Sequence, residues 1–469
     1  MPFCRSKCAY CDFHSGPLSA APEGLAARIV EASLERIDAL AARFGSAQGP
    51  AAGAASAPAS VPPSVPPSVQ APGLSPGAGP SRAAGPARGP ASPQSAASFR
   101  GAGRGSRFDT VYVGGGTPTV LPRPLLARLL EGLAERAGSP REWTVEANPE
   151  SLDAEALAIF RGAGATRISL GVQSLDDGLL RLLGRPADAA ACESALSLAA
   201  SSGLAVSADL MAGLPRRTRL RDEAARLLDL GAGHLSVYDL VLEEGTPLEA
   251  RYRGGELELP GEDEAADERG ELEDFLASRG FRRYEVSNYA PPGAESLHNL
   301  AYWRMDSYLG VGPGAVSTLQ AAGPPGASLR IEEEPSLEAY AMGDPAARGI
   351  GRSGTAAPGG RPAMGLETAI PPREAAFEAV MMGFRTVFGV DARAFEARFG
   401  LALEAFVGRS LEAWAGRLAP AAPWPEGSPV ASPRPSGELA LDGRGLDLLN
   451  RFLSDCLGEI EGPSPSSAF

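Results

Sequence analysis

Cys4, Cys8 and Cys11 fall within eight residues, spaced C-x3-C-x2-C. Three thiolates on a short, sharply curved loop can reach three corners of an iron-sulfur cube and leave the fourth iron without a protein ligand. A zinc knuckle is the alternative, and it needs Asp12 or His14 as its fourth ligand. The five cysteines are an odd number, and no apolar signal segment precedes them, so a disulfide framework is not expected. Cys192, in an alanine-rich helical run, and Cys456, in a late amphipathic helix, read as buried small apolar residues.

Other chemistries are narrowed by composition. Of the 43 basic residues only Lys7 is a lysine, so a phosphate-binding P-loop and Schiff-base catalysis are close to excluded. Three histidines, His14, His234 and His298, leave little room for an all-histidine zinc site or a histidine-rich hydrolase centre. A net charge of −14 repels phosphate backbones and argues against nucleic-acid binding. The expected partners are small molecules or proteins. No run of 18 or more apolar residues occurs, so no integral membrane segment is expected and the reading is cytoplasmic.

The scaffold that must hold these residues is legible as a series of segments. Residues 23 to 45 place Leu25, Ile29, Ala32, Ile37 and Leu40 roughly along one helical face. Of the 50 residues from 51 to 100, 40 are Ala, Gly, Pro or Ser, and none is acidic. Such a stretch cannot bury enough apolar surface to offset its ordering entropy, so 47 to 106 is expected to be a disordered insertion. From 107 strand candidates alternate with amphipathic helices: Thr110 to Val113, Trp143 to Ala147, Arg167 to Val172, Leu204 to Leu210 and His234 to Leu240. This α/β alternation predicts parallel strands with crossover helices, and site residues where the strands end. Each strand does run into an unusual motif: GGGTPT (114 to 119), EANPE (146 to 150), GVQS (171 to 174), DLMAGLP (209 to 215) and Tyr238-Asp239-Leu240. A linker is expected over 343 to 365. Beyond it, helices at 373 to 388, 391 to 398, 401 to 416 and 443 to 458, with a short strand near 438 to 441, predict a small helical or winged domain over 366 to 469.

The cysteine spacing resembles that of radical S-adenosylmethionine (SAM) enzymes, in which SAM chelates the open iron. The other motifs sharpen the resemblance. PFCRSKCAYCDF, GGGTPT, TVEANPE, SLGVQS, LLGR, DLMAGLP, SVYDLVLEEGTPL and HNLAYW stand in the order found in oxygen-independent coproporphyrinogen III oxidases and their HemW-type haem-chaperone relatives. It spans residues 2 to 46 and 107 to about 318, and resumes more weakly in the C-terminal part.

What it implies is a partial (β/α)6 barrel carrying a 4Fe-4S cluster on Cys4, Cys8 and Cys11. The family's Tyr-x-His-x-Pro-Phe-Cys opening is represented by Met1-Pro2-Phe3-Cys4, so the first barrel strand is expected to be missing and five of six strands to be present. Domain boundaries follow: cluster loop and first helix at 1 to 46, and barrel with the haem-motif region at 107 to 342. By position, Gly115, Gly116 and Thr117 would approach SAM through their backbone, with side chains on the glycines colliding with it. Glu146, Gln173, Arg185 and Asp209 would supply polar contacts, Arg185 suiting a carboxylate and Asp209 ribose hydroxyls. Val241 and Val316 would pack near the adenosine.

Two features separate the subfamilies. The oxidases carry a further cysteine two residues after the third, where Phe13 stands here. HNLAYW resembles the haem-binding HNxxYW of HemW proteins, which makes His298 the candidate axial ligand and Tyr302 and Trp303 flat apolar area for a porphyrin. It is placed on the side where the barrel mouth should lie. The resemblance thus implies a haem chaperone with an unknown haem-acceptor protein and an electron donor such as flavodoxin or ferredoxin. The alternative is the oxidase, which would decarboxylate coproporphyrinogen III. Whether the chain catalyses a reaction at all stays open at this point.

Overall fold

The computed structural model describes residues 1–44, 108–215, 220–320, 325–343, 365–423, 425 and 439–461. The insertion expected at 47 to 106 lies outside the described residues, as does all but the two ends of the linker expected at 343 to 365.

A two-residue strand β1 (Phe3–Cys4) runs parallel to β2 (Gly16–Pro17), which pinches the cysteine loop at its base. Helix α1 (Leu25–Phe44) then buries Leu25, Ile29, Ile37 and Leu40, the face predicted from their spacing. Alternation follows: β3 (Thr110–Val113), α2 (Arg123–Ala137), β4 (Glu142–Ala147), α3 (Ala154–Ala163), β5 (Arg167–Gln173), α4 (Asp177–Leu182), α5 (Ala189–Ala200), β6 (Ala205–Ala212), α6 (Leu220–Asp229) and β7 (His234–Asp239). The five strands β3 to β7 lie side by side in sequence order, all parallel. Their alternation explains the layers: Val113, Trp143, Val145, Ile168, Leu170, Val206, Ala208 and Leu235 are buried in one apolar core with the helices. The other face carries Thr110, Tyr112, Glu142, Glu146, Arg167, Ser169, Asp209 and Ser236 and lines the barrel interior. Asp153, Asp176 and Asp188 cap α3, α4 and α5 by accepting the N–H groups of Ala156, Leu179 and Ala191, which fixes where each crossover begins.

After β7 come α7 (Pro247–Arg253), α8 (Glu262–Ser278), β8 (Arg282–Arg283) and β9 (Asn288–Ala290). Strand β9 pairs antiparallel with β7, Asn288 opposite Ser236 and Tyr289 opposite Leu235. That reversal carries the chain back to the end at which the parallel strands begin, and helix α9 (Leu297–Trp303) starts from there. A three-stranded antiparallel sheet of β10 (Val316–Gln320), β11 (Ser328–Glu332) and β12 (Leu366–Ile370) follows, with α10 (Leu337–Met342) between its second and third strands. It is absent from the sequence expectation, and the buried Arg36–Glu333 pair, 2.8 Å apart, ties the end of its central strand to α1.

The remainder is helical: α11 (Pro372–Gly383), α12 (Ala392–Phe399), α13 (Leu403–Ala413), a strand pair β13 (Leu418–Pro420) and β14 (Leu439–Leu441), then α14 (Gly443–Asp447) and α15 (Leu449–Glu461). It has an apolar cluster of its own, built on Phe384, Phe395, Phe406 and Phe452. Cys456 lies in that cluster and Cys192 in the barrel's, both as small buried groups. No helix among the described residues is long and apolar enough to cross a membrane.

Candidate cofactor sites at the two ends of the barrel

At the C-terminal ends of the parallel strands, the cysteine loop lies against the turn after β3. Gly116 N–H donates to Met1 O at 2.5 Å and Thr117 N–H to Phe3 O at 2.7 Å. The Cys4 thiol sits 3.7 Å from Ser15 Oγ and 3.6 Å from Thr117 Oγ1, and Asn148 Nδ2 donates to that threonine oxygen at 2.9 Å. Arg185 Nη1 reaches Cys8 Sγ at 3.7 Å. Hydroxyl and guanidinium donors around sulfur suit deprotonated thiolates, so the donor set fits an iron-sulfur cluster. Among the described residues no three His, Cys, Asp or Glu side chains gather closely enough to hold one metal ion.

The glycines owe their identity to the chain itself. A Cβ on Gly116 would stand 2.5 Å from Phe3 O, and one on Gly114 would run into the Glu146 carboxylate. Gly115 has φ +100°, and its N–H donates to Glu146 Oε2 at 3.0 Å. The collision that the sequence reading assigns to a bound ligand is thus already present at Gly116 without one. Arg185 is likewise engaged: besides Cys8, its Nη2 donates to Gly171 O at 2.6 Å and lies 3.9 Å from Glu150.

Further into the lumen, Glu146 Oε1 accepts the Tyr112 hydroxyl at 2.6 Å. Burial raises the Glu146 pKa, against the hydrogen bonds from Tyr112 and Gly115. Asp209 accepts from Ser169 Oγ at 3.2 Å, and burial, then the charge of Glu146, push its pKa up to about 7. Gln173 ends β5 at a register shift with φ +71°, a left-handed conformation uncommon outside glycine. Val241 is exposed beyond β7, and Val316 opens β10.

His298 is not at the mouth. Because β9 returns the chain to the opposite end, residues 291–298 cross the barrel floor, touching the first residue of one strand after another. Arg167, opening β5, donates to the carbonyls of Ala294 and Glu295 at 3.1 and 3.3 Å. Glu142, opening β4, accepts Arg167 Nε at 3.0 Å on one oxygen. Its other oxygen accepts Ser296 Oγ at 3.2 Å and the His298 N–H at 2.9 Å. Thr110, opening β3, has its Oγ1 2.9 Å from His298 Nδ1.

The imidazole stacks on Tyr112, ring centres 4.9 Å apart and planes 22° from parallel, and meets the Tyr302 ring edge-on at 5.0 Å. Burial brings its pKa down to about 4, with Glu142 opposing, so the ring is neutral near pH 7. A neutral imidazole with Nδ1 fixed and no partner on Nε2 among the described residues fits an axial ligand of haem iron. Trp303 packs instead with Tyr284, Leu300 and Phe388. His234, the fourth strand-opening side chain of this layer after Thr110, Glu142 and Arg167, is buried with Nε2 2.8 Å from the Tyr284 hydroxyl, a structural role.

Sequence reasoning missed Thr110, Tyr112, Glu142 and Arg167. The available signal was a polar or charged residue at the first inward position of several otherwise apolar strands, which asks for a buried partner.

The radical SAM superfamily model matches residues 98–228, and the HemN C-terminal domain model matches 370–417. A Lactococcus lactis protein named "Heme chaperone HemW" is 32% identical over 300 residues, covering 63% of this chain and 73% of its own length. The Escherichia coli protein of that name is 36% identical over 45% of this chain and 56% of its own. The mouse mitochondrial "Radical S-adenosyl methionine domain-containing protein 1" is 43% identical over 45% of this chain and 48% of its own. In structure, the E. coli coproporphyrinogen III oxidase HemN aligns over 97% of this chain and 88% of its own with a TM-score of 0.64, and at 17% identity it speaks to the fold. With nearly three quarters of a relative matched at this identity, around thiols and an imidazole placed as described, the chain belongs to the HemW family of radical SAM proteins.

Proposed function

We propose that this protein is a haem chaperone that holds haem through His298 and hands it to an acceptor protein, with a 4Fe-4S cluster on Cys4, Cys8 and Cys11. The observation that carries the reading is the floor geometry: a neutral imidazole, its Nδ1 held by Thr110 and its plane by Tyr112. Phe13, where the oxidases have a further cysteine, favours the chaperone over the oxidase. At the mouth, Gly115 and Glu146 would meet the amino group of SAM, with Gln173 and Asp209 as further polar contacts, Arg185 steadying the Cys8 side of the cluster, and Val241 and Val316 beside the adenosine. When bound, the cluster supplies one-electron chemistry to SAM. Gly116 and Thr117 fix the cysteine loop. An electron donor such as flavodoxin or ferredoxin is part of this reading, and so is a cytoplasmic setting.

Haem titration of the full chain, followed by the Soret band, tests it. His298→Ala should weaken haem at least tenfold, about 1.4 kcal/mol, and move the band. Wild-type affinity and spectrum in that variant would refute the ligand assignment. Conversion of coproporphyrinogen III to protoporphyrinogen IX by the cluster-loaded protein would replace the chaperone reading with the oxidase.

A further inference from the structure

Tyr112 touches both ends of the barrel. Its ring lies against His298, 4.9 Å between centres, while its hydroxyl donates to Glu146 Oε1 at 2.6 Å. The second Glu146 oxygen holds the Gly115 N–H at 3.0 Å. A phenol is rigid and turns about only two bonds, so its ring plane and the direction of its hydroxyl cannot be set independently. If the hydroxyl loses its acceptor, the ring loses the constraint that keeps it parallel to the imidazole.

We infer that Tyr112 is a positioning residue shared by the two ends, and that an ammonium-bearing ligand taking Glu146 Oε1 releases the phenol from its stack on His298 and loosens haem. This rests on the proposed haem reading of His298 and on SAM as the ligand of Glu146. An ammonium on the Glu146 carboxylate adds the attraction of opposite charges to its hydrogen bond, which the neutral phenol does not, and so displaces the phenol hydroxyl. The imidazole then loses one of the three contacts that pre-orient its ring, those with Thr110, Tyr112 and Tyr302, and binding pays for the lost order. Coupling of this kind is reciprocal, so haem must weaken the mouth ligand by the same factor.

The test uses the full chain with its cluster rebuilt anaerobically, and haem titrated with and without SAM. SAM should raise the Kd for haem at least fivefold, and haem should raise the Kd for SAM equally. Tyr112→Phe keeps the ring and removes the hydroxyl. In that variant the effect of SAM should fall to within twofold, and the haem Kd without SAM should approach that of the SAM-bound wild type. A tyrosine serving only the packing of the barrel would weaken haem equally in both conditions and leave the ratio intact, which overturns the inference. Wild-type haem binding indifferent to SAM overturns it too, while leaving His298 as ligand. No haem binding in either condition overturns the haem reading and this inference together.

Discussion

The mouth and the floor of this barrel are built by opposite means. At the mouth the backbone does the work: glycines let residues 1–3 and 114–117 lie in contact, and three cysteines ride on a loop closed by two short strands. At the floor side chains do it: a buried carboxylate and guanidinium, Glu142 and Arg167, hold the peptide groups before and inside α9 and so aim His298. A backbone-built site tolerates loss of its side chains as far as folding is concerned, whereas a site hung on a buried ion pair does not.

The widest expected difference follows from that contrast. Replacing Cys4, Cys8 and Cys11 together with alanine should take iron after anaerobic reconstitution from about four per chain to almost none, with the melting temperature little changed. Haem affinity measured without SAM should stay within about threefold of wild type, because nothing at the floor touches these thiols. Simultaneous loss of haem binding would erase the separation of the two ends.

A smaller but still large effect belongs to the floor. Glu142→Ala strands Arg167 in the interior and strips the His298 N–H and Ser296 Oγ of their acceptor. Removing one member of a buried ion pair costs about 3–5 kcal/mol, to be read as a lower denaturant midpoint, and haem binding should fall with it. Glu142→Gln, which keeps one acceptor oxygen, should recover part of both. If Glu142→Ala were as stable as wild type, the floor would owe its order to something other than this pair.

The same contrast explains what could be read beforehand. The five parallel strands, α1 and the C-terminal helices were legible because their apolar residues repeat with clear periods. The cysteines and the glycine turn were legible because such spacing is local in sequence. His298 was legible as a residue but not as a place: its position depends on β9 pairing antiparallel with β7, and a three-residue strand carries no periodic signal. Glu142 and Arg167 stand at least 154 and 127 positions from the residues they hold, and no local pattern links them to that segment. The sheet of β10 to β12 was hidden for a related reason, since its strands are five residues each and 33 residues separate the second from the last.

Between the two ends stands Asp209, and its titration measures how dry the lumen is. Burial, then the charges of Glu146 against the hydroxyls of Ser236 and Ser169 and the charge of Arg185, hold its pKa near 7 in the fold, whereas the ordinary value is 3.8. The folded chain therefore keeps this proton more tightly than the unfolded chain does. Its contribution to stability is complete below about pH 4 and is lost as pH rises towards 7, with a slope of at most about 1.4 kcal/mol per pH unit for one proton. Glu223 and Glu285, also raised to about 7 chiefly by burial, act in the same window with the same sign. His298 and His234, pushed down to about 4 and about 3 chiefly by burial, act with the opposite sign below pH 6.5, so Asp209 is read by difference: from pH 5 to pH 7 the urea midpoint of cluster-free Asp209→Asn should fall less than that of the wild type, the amide having no proton to lose. An undiminished slope in the variant would mean that water reaches Asp209 freely, so that the lumen joins mouth and floor through solvent and not through a closed set of side chains.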